Sequence, residues 1–304
     1  MAYGTPRSLD EVETYYTDIR RGRPPPPDLL EELTARYRAI GGRSPLLEIT
    51  LEQALGIQQR LGVRTYVGQK HAAPFIADAV GDMSRDGVER AVGLVLAPHY
   101  SSMSVGDYAR RAERAATEAN WGGKLDMVES WHLEPGYLEL LDERVRRAQS
   151  ELPEDARAGA TVIFSAHSLP ERIVAAGDPY PEQLGETAEA VAGRIGLESW
   201  RVAWQSAGRT AEPWLGPDIL EVIVELADAR GAGSDGPQTT GGTGVIVCPC
   251  GFVSDHLEVL YDVDIEAARL AAKLGIPLVR TASPNADPKF LDTLAAIVAR
   301  KLDA

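Results

Sequence analysis

The chain has 304 residues, a formal net charge of −14 and 44% apolar residues. That is enough apolar material for one large or two ordinary domains, and too much for a disordered chain. The acidic balance argues against general nucleic-acid binding, which needs a basic surface. No apolar run approaches the roughly 20 residues of a membrane span, and no basic segment followed by an apolar run resembles a signal peptide, which places the protein in the cytoplasm.

In chain order, the opening Met1-Ala-Tyr-Gly-Thr-Pro6 reads as the end of a strand and its turn, with no strand in front of it. A basic stretch follows, with Arg20, Arg21, Arg23, Arg36, Arg38 and Arg43 against only Asp28, Glu31 and Glu32. It reads either as a solvated face or as a lip for an anionic ligand. Apolar residues three and four apart predict helices over 46–61 and 74–83. Short apolar runs predict strands at 65–68, 91–97, 125–131, 161–165, 201–205, 244–248 and 277–280. The glycine-rich stretch 231–244 reads as a mobile surface loop. Asp287 followed by Pro288 is a helix start, a capping carboxylate and then a residue that needs no amide donor. The β–α alternation predicts an α/β protein with parallel sheets. The polar segment 152–158 divides it into two doubly wound domains, 1–152 and 153–304, with a cleft between them.

In such sheets ligands sit beyond the carboxyl ends of strands. His99, His167 and the Gly251–His256 segment GFVSDH all follow predicted strands. A single histidine at a strand end is as readily structural as catalytic. Glu258, Asp262 and Glu266 are spaced by four, which in an α-helix makes one stripe. That stripe is either a solvated acidic face or a path for a hydrated divalent cation or for protons. Cys248 and Cys250 point to the same face of a predicted strand. They read as two small buried residues, too few for an iron–sulfur cluster.

Four segments carry a resemblance. SAHSLP at His167, GDPYP at 177–181, WQSAGRTAEPWLGPD at 204–218 and GFVSDHLEVLYD from Gly251 resemble the signature segments of the ferrochelatases, in that family's order and spacing. The likeness covers nearly the whole chain. It implies a chelatase-like fold of two similar α/β domains and an enzyme that inserts ferrous iron into a porphyrin, with iron as substrate and no permanently bound cofactor. It implies His167 and Glu258 as the inner metal-site pair, with Asp262 and Glu266 extending outward. His167 can serve there as iron ligand or as proton acceptor.

The AYGTP turn is similar to that of the coproporphyrin III ferrochelatases of Gram-positive and related bacteria. Carried over, Tyr3 is the axial contact to product iron. Arg20, Arg36, Tyr37, Ser44 and Tyr108 contact the porphyrin, and Gln53 and Lys70 join that pocket. The resemblance also places a strand just upstream of Tyr3, so the natural chain is expected to begin several residues earlier with an apolar run. Some actinobacterial relatives hold an iron–sulfur cluster through four cysteines; with two, this chain is expected to hold none. The expected form is a monomer acting on two small substrates. A cobalt or nickel chelatase for another tetrapyrrole, a protoporphyrin enzyme and a non-catalytic porphyrin carrier are the competing readings.

Overall fold

The computed structural model describes residues 1–232 and 244–304. These divide into two units: Met1–Trp131 with Val253–Leu257 and Pro284–Ala304, and His132–Phe252 with Glu258–Ser283. The boundary expected at 152–153 therefore lies at 131–132, and the closing helix Pro288–Asp303 belongs to the first unit. Packing explains this return. Leu291 lies over Gly56 of helix Leu46–Leu61, so close that a Cβ on Gly56 would sit 2.5 Å from Leu291 Cδ1. Arg60 Nε also pairs with Asp292 at 2.6 Å. Within the polar segment 152–158, expected to divide the domains, lies the four-residue helix Glu154–Arg157. Helix Ile219–Ala232 runs into the predicted surface loop, whose residues 233–243 lie outside the described residues. Among the described residues no helix is long and apolar enough to cross a membrane.

In the first unit, β1 (Arg90–Gly93) and β2 (Lys124–Met127) pair in parallel, Arg90 opposite Lys124. The strand expected at 65–68 is replaced by isolated bridges from Gln69 to Ala2 and to Phe75. Ala2 N donates to Gly68 O at 3.1 Å, Lys70 N to Ala2 O at 3.1 Å, and Leu96 N to Met1 O at 3.0 Å. Backbone from Met1 to Tyr3 is thus paired with both 68–71 and 94–96, over too few residues to register as a ladder. Gly4 follows at φ +101°, a conformation that L side chains rarely adopt. The helix expected over 74–83 is Ile76–Arg85, because Phe75 is held extended in the bridge. Ile76, Val80, Met83, Val95, Val105, Tyr108, Ala112 and Trp121 form this unit's core.

Among its described residues the second unit holds four parallel strands: β3 (Thr161–His167), β4 (Trp200–Gln205), β5 (Val245–Cys248) and β6 (Leu278–Arg280), in the spatial order β4-β3-β5-β6. β5 is buried throughout and β3 as far as Ala166, which matches their unbroken apolar runs. Chain order reverses about β3, because its successor β4 lies on one side and β5 on the other. The carboxyl ends of β3 and β5 therefore flank the switch point where doubly wound sheets bind ligands. Asp287 caps the closing helix as expected, accepting from Lys289 N at 2.9 Å.

Candidate active site

His167 is the last residue of β3, where a fully buried strand becomes half-exposed. Its surroundings are built from the motif segments. Ser168 N donates to Gln205 O at 2.8 Å, Leu215 N to Leu169 O at 2.9 Å, and Ser168 Oγ to Leu215 O at 2.7 Å. Tyr180, from the GDPYP segment, donates its hydroxyl to His167 O at 3.0 Å and stacks near Trp204, with ring centres 5.4 Å apart. Burial holds that phenol well above its ordinary pKa, so it stays a donor. After β5, Gly251 N donates to Ser165 O at 2.9 Å. A Cβ on Gly251 would lie 2.4 Å from Ala166 Cβ, so only glycine lets this segment run against the end of β3.

The segment leads to Glu258 in the short helix Leu257–Leu260, whose Oε1 lies 3.5 Å from His167 Nε2. About a third of the imidazole and of the carboxylate is solvent-exposed, so water and ions reach both. Burial opposes the imidazolium. It is outweighed by the charge and hydrogen bond of Glu258, by the Ser168 carbonyl at Nδ1 and by the charge of Asp262, so His167 is raised from 6.5 to about 9. Donors about 2.1 Å from a tetrahedral divalent cation stand about 3.4 Å apart, so the His167–Glu258 separation suits two ligands of one ion. Among the described residues, no group of three or more His, Cys, Asp or Glu side chains is placed to hold a metal ion. The pair thus offers a cation at most two protein donors.

The acidic stripe is not the α-helical one expected. Residues Asp262–Ala267 form a π-helix, with Glu266 N donating to Tyr261 O at 2.9 Å across five residues. The wider turn changes the spacing of the rungs. Asp262 is buried and accepts from Ser206 Oγ, while Glu266 is half-buried in the same π-helix. Asp264 is held instead by Arg280, at 2.6 and 3.0 Å.

In the first unit, Lys70 brings together Tyr3 and Tyr108. Its Nζ stands 5.6 Å from the centre of the Tyr3 ring, 4.9 Å from that of Tyr108 and 2.6 Å from Asp107 Oδ2. Burial pulls the ammonium below its usual pKa, against the raising effect of Asp107. Arg111 Nε also reaches Asp107 at 3.0 Å. Tyr3 is 41% exposed, and its ring lies 4.7 Å from that of His71, whose Nδ1 is 2.7 Å from Asp18 Oδ2. Sequence reasoning passed over His71, Asp107 and Arg111. The first follows a turn after an apolar run, and the other two sit in the same SVGDYARRA stretch as Tyr108.

The other expected contacts are differently engaged. Tyr37 is buried, with its hydroxyl 3.2 Å from Thr5 Oγ1 and its ring edge-on to Tyr15. Ser44 is buried and accepts from Leu46 N at 3.3 Å. Gln53 is fully buried and braces Ser254 Oγ at 3.1 Å and Asn285 O at 2.8 Å. Arg36 lies 3.4 Å from Glu32, and Arg20 sits over the Tyr16 ring at 5.8 Å with its Nε buried and unpaired. His99 is buried. Cys248 and Cys250 are free and buried thiols, and burial pushes Cys248 up to about 12.

The ferrochelatase family model matches residues 1–302. The chain belongs to the ferrochelatase family. It is 45% identical to the coproporphyrin III ferrochelatase of Geobacillus sp. (strain WCH70), over 99% of this chain and 96% of the relative. It is 44% identical to the Bacillus subtilis (strain 168) protein of that name over the same shares, and 43% identical to a ferrochelatase of Herpetosiphon aurantiacus over 98% and 96%. Among solved structures, Bacillus subtilis SirB with Fe3+ matches with a TM-score of 0.58 and 12% identity over 84% of this ferrochelatase-family chain and 90% of SirB. CbiX, described as the terminal enzyme of siroheme biosynthesis in denitrifying bacteria, gives 0.51 and 14% over 98% and 96%. At such identities these two likenesses establish the chelatase-like α/β fold alone.

Proposed function

We propose that this protein inserts ferrous iron into coproporphyrin III. The observation that carries the reading is the similarity at about 45% identity, over nearly the full length of both chains, to proteins named for that activity. Insertion breaks two pyrrole N–H bonds, releases two protons and exchanges the water around iron for four ring nitrogens. His167 and Glu258 meet the requirements on the protein side. Their spacing lets Nε2 and Oε1 replace two waters on one cation. At neutral pH the pair holds a proton of its own; arriving iron displaces it to water, and once iron has passed to the ring the pair takes up one pyrrole proton as an ion pair while the other leaves to water. A site of two protein donors binds a cation weakly enough to pass it on. Asp262 and Glu266 extend the approach for iron. The reading assigns Tyr3, Lys70 and Tyr108 to the ring and Arg20 and Arg36 to its carboxylates.

Ferrous iron and two free thiols suit a reducing compartment, so the reading places a monomer in the cytoplasm, with no resident cofactor, no iron–sulfur cluster and no nucleic-acid partner. The test is an anaerobic insertion assay with coproporphyrin III and protoporphyrin IX side by side. Coproporphyrin III is expected to have the higher kcat/KM. Preference for protoporphyrin IX overturns the substrate assignment, and stoichiometric binding without turnover overturns the enzymatic one.

A further inference from the structure

Gln205 ends β4 directly beside His167, its partner in the β3–β4 register. It is 1% exposed and uses both ends of its amide. Its Nε2 donates to Glu258 O at 2.8 Å, and its Oε1 accepts from Ser165 Oγ at 2.9 Å, within β3. Its backbone carbonyl accepts from Ser168 N, the residue after His167. One side chain and its own peptide group therefore hold the strand that ends in His167 and the backbone of Glu258.

The need for such a hold comes from the helix. Leu257–Leu260 is a single turn that gives way to a π-helix, so Glu258 sits where the helical hydrogen-bond pattern changes. Gln205 Nε2 donates to the backbone carbonyl at that point, on the residue that carries the carboxylate. The neighbouring Ser206, at φ +61°, turns its Oγ onto Asp262, so Gln205 and Ser206 hold consecutive members of the acidic row, Glu258 by its backbone carbonyl and Asp262 by its carboxylate.

We infer that Gln205 is the positioning residue of the His167–Glu258 pair, setting the separation of imidazole and carboxylate through Ser165 on one side and the Glu258 carbonyl on the other. Gln205 touches neither iron nor porphyrin in this role. A side chain 1% exposed, with its amide engaged at both ends by the protein, is walled off from a substrate. Its effect is to keep two weak donors at one bite distance while iron arrives and leaves. The inference rests on the proposed role of His167 and Glu258 as the metal-handling pair.

The test compares the full-length wild type with Gln205→Met, Gln205→Glu and Ser165→Ala in the anaerobic assay with Fe2+ and coproporphyrin III, and adds His167→Ala as the check on the underlying reading. Met and Glu preserve the volume of Gln205 and remove the donor to Glu258 O. Outer groups that orient metal ligands are typically worth about 10–100-fold. Both Gln205 variants are expected to lose activity within that range, through lower kcat and higher apparent KM for iron, with the KM for porphyrin within about twofold of wild type. Ser165→Ala, which keeps the donor but frees the other end of the amide, is expected to lose several-fold along the same two parameters. A packing role alone would lower the melting temperature and leave kcat and iron KM per folded molecule near wild type, and that result overturns the inference. Should both Gln205 variants fail to fold, Ser165→Ala decides, and wild-type iron kinetics there overturn it. An active His167→Ala enzyme instead removes the reading beneath it, whatever the Gln205 variants do.

Discussion

The two units are alike in class and different in how they present polar groups. In the second, four parallel strands among the described residues form a regular sheet, and His167 of the candidate pair ends a strand buried as far as Ala166. In the first, only β1 and β2 form a ladder, and the polar groups gather on bridged loops and helix starts around Lys70, wedged between two tyrosine rings. The contrast is chemical. Two weak ligands for a small cation must be kept at one separation, and a buried strand bracketed by hydrogen bonds does this. The proposed function also asks for a hold on a large, flat, anionic ring, for which many modest contacts from loops and helices suffice.

The contrast predicts a hierarchy of mutational effects. The largest belongs to the second unit. His167→Ala and Glu258→Gln are expected to lower insertion at least about 100-fold, the usual scale for a positioned acid–base group. Binding of coproporphyrin III, followed by absorbance, should be retained. Asp262→Asn and Glu266→Gln should act mainly on the apparent KM for iron. Retention of more than about a tenth of activity in His167→Ala, with equal and negligible effects along the acidic row, would leave these carboxylates a structural role alone.

An intermediate effect belongs to the first unit. Lys70→Met removes an ion pair with Asp107 and two ring contacts of about 1 kcal/mol each, while leaving Arg111 to balance Asp107. Its expected signature is a porphyrin KM raised roughly tenfold, equivalent to about 1.4 kcal/mol, with iron KM unchanged. A change in iron KM alone would erase the distinction between the two units.

The smallest effect is on stability. His167 is raised from 6.5 to about 9, because Glu258, the Ser168 carbonyl and Asp262 outweigh burial. A raised pKa in the folded state adds stability that is complete below pH 6.5 and drains away as pH rises to about 9. Melting temperatures of metal-free wild type should therefore fall relative to Glu258→Gln across that window. Partial exposure of both groups keeps the difference to a few degrees at most. Parallel curves would mean that the pair is not ionised as described.

Much of the site is legible in the sequence because local chemistry sets it. The apolar run 161–165 reads as a buried strand, which the structure extends by two residues to His167, and Asp287-Pro288 reads as a helix start, as it is. The alternation of strands and helices led to the α/β class, and the motif segments to the family. Other features depend on partners far along the chain. Helix Pro288–Asp303 looks like the end of a C-terminal domain, but Gly56, more than 200 residues earlier, makes the slot for Leu291 that returns it to the first unit. The strand expected at 65–68 depends on the length of its partner, which its own residues do not encode. The four-residue spacing of Glu258, Asp262 and Glu266 implies an α-helical stripe until the π-helix widens it. The sequence by itself determined which residues can do chemistry, because residue type and strand-end position are local properties. Only the tertiary structure decided that Glu258 meets His167 at 3.5 Å and that Gln205 holds them there, because register across β3, β4 and the segment after β5 is a property of their packing together.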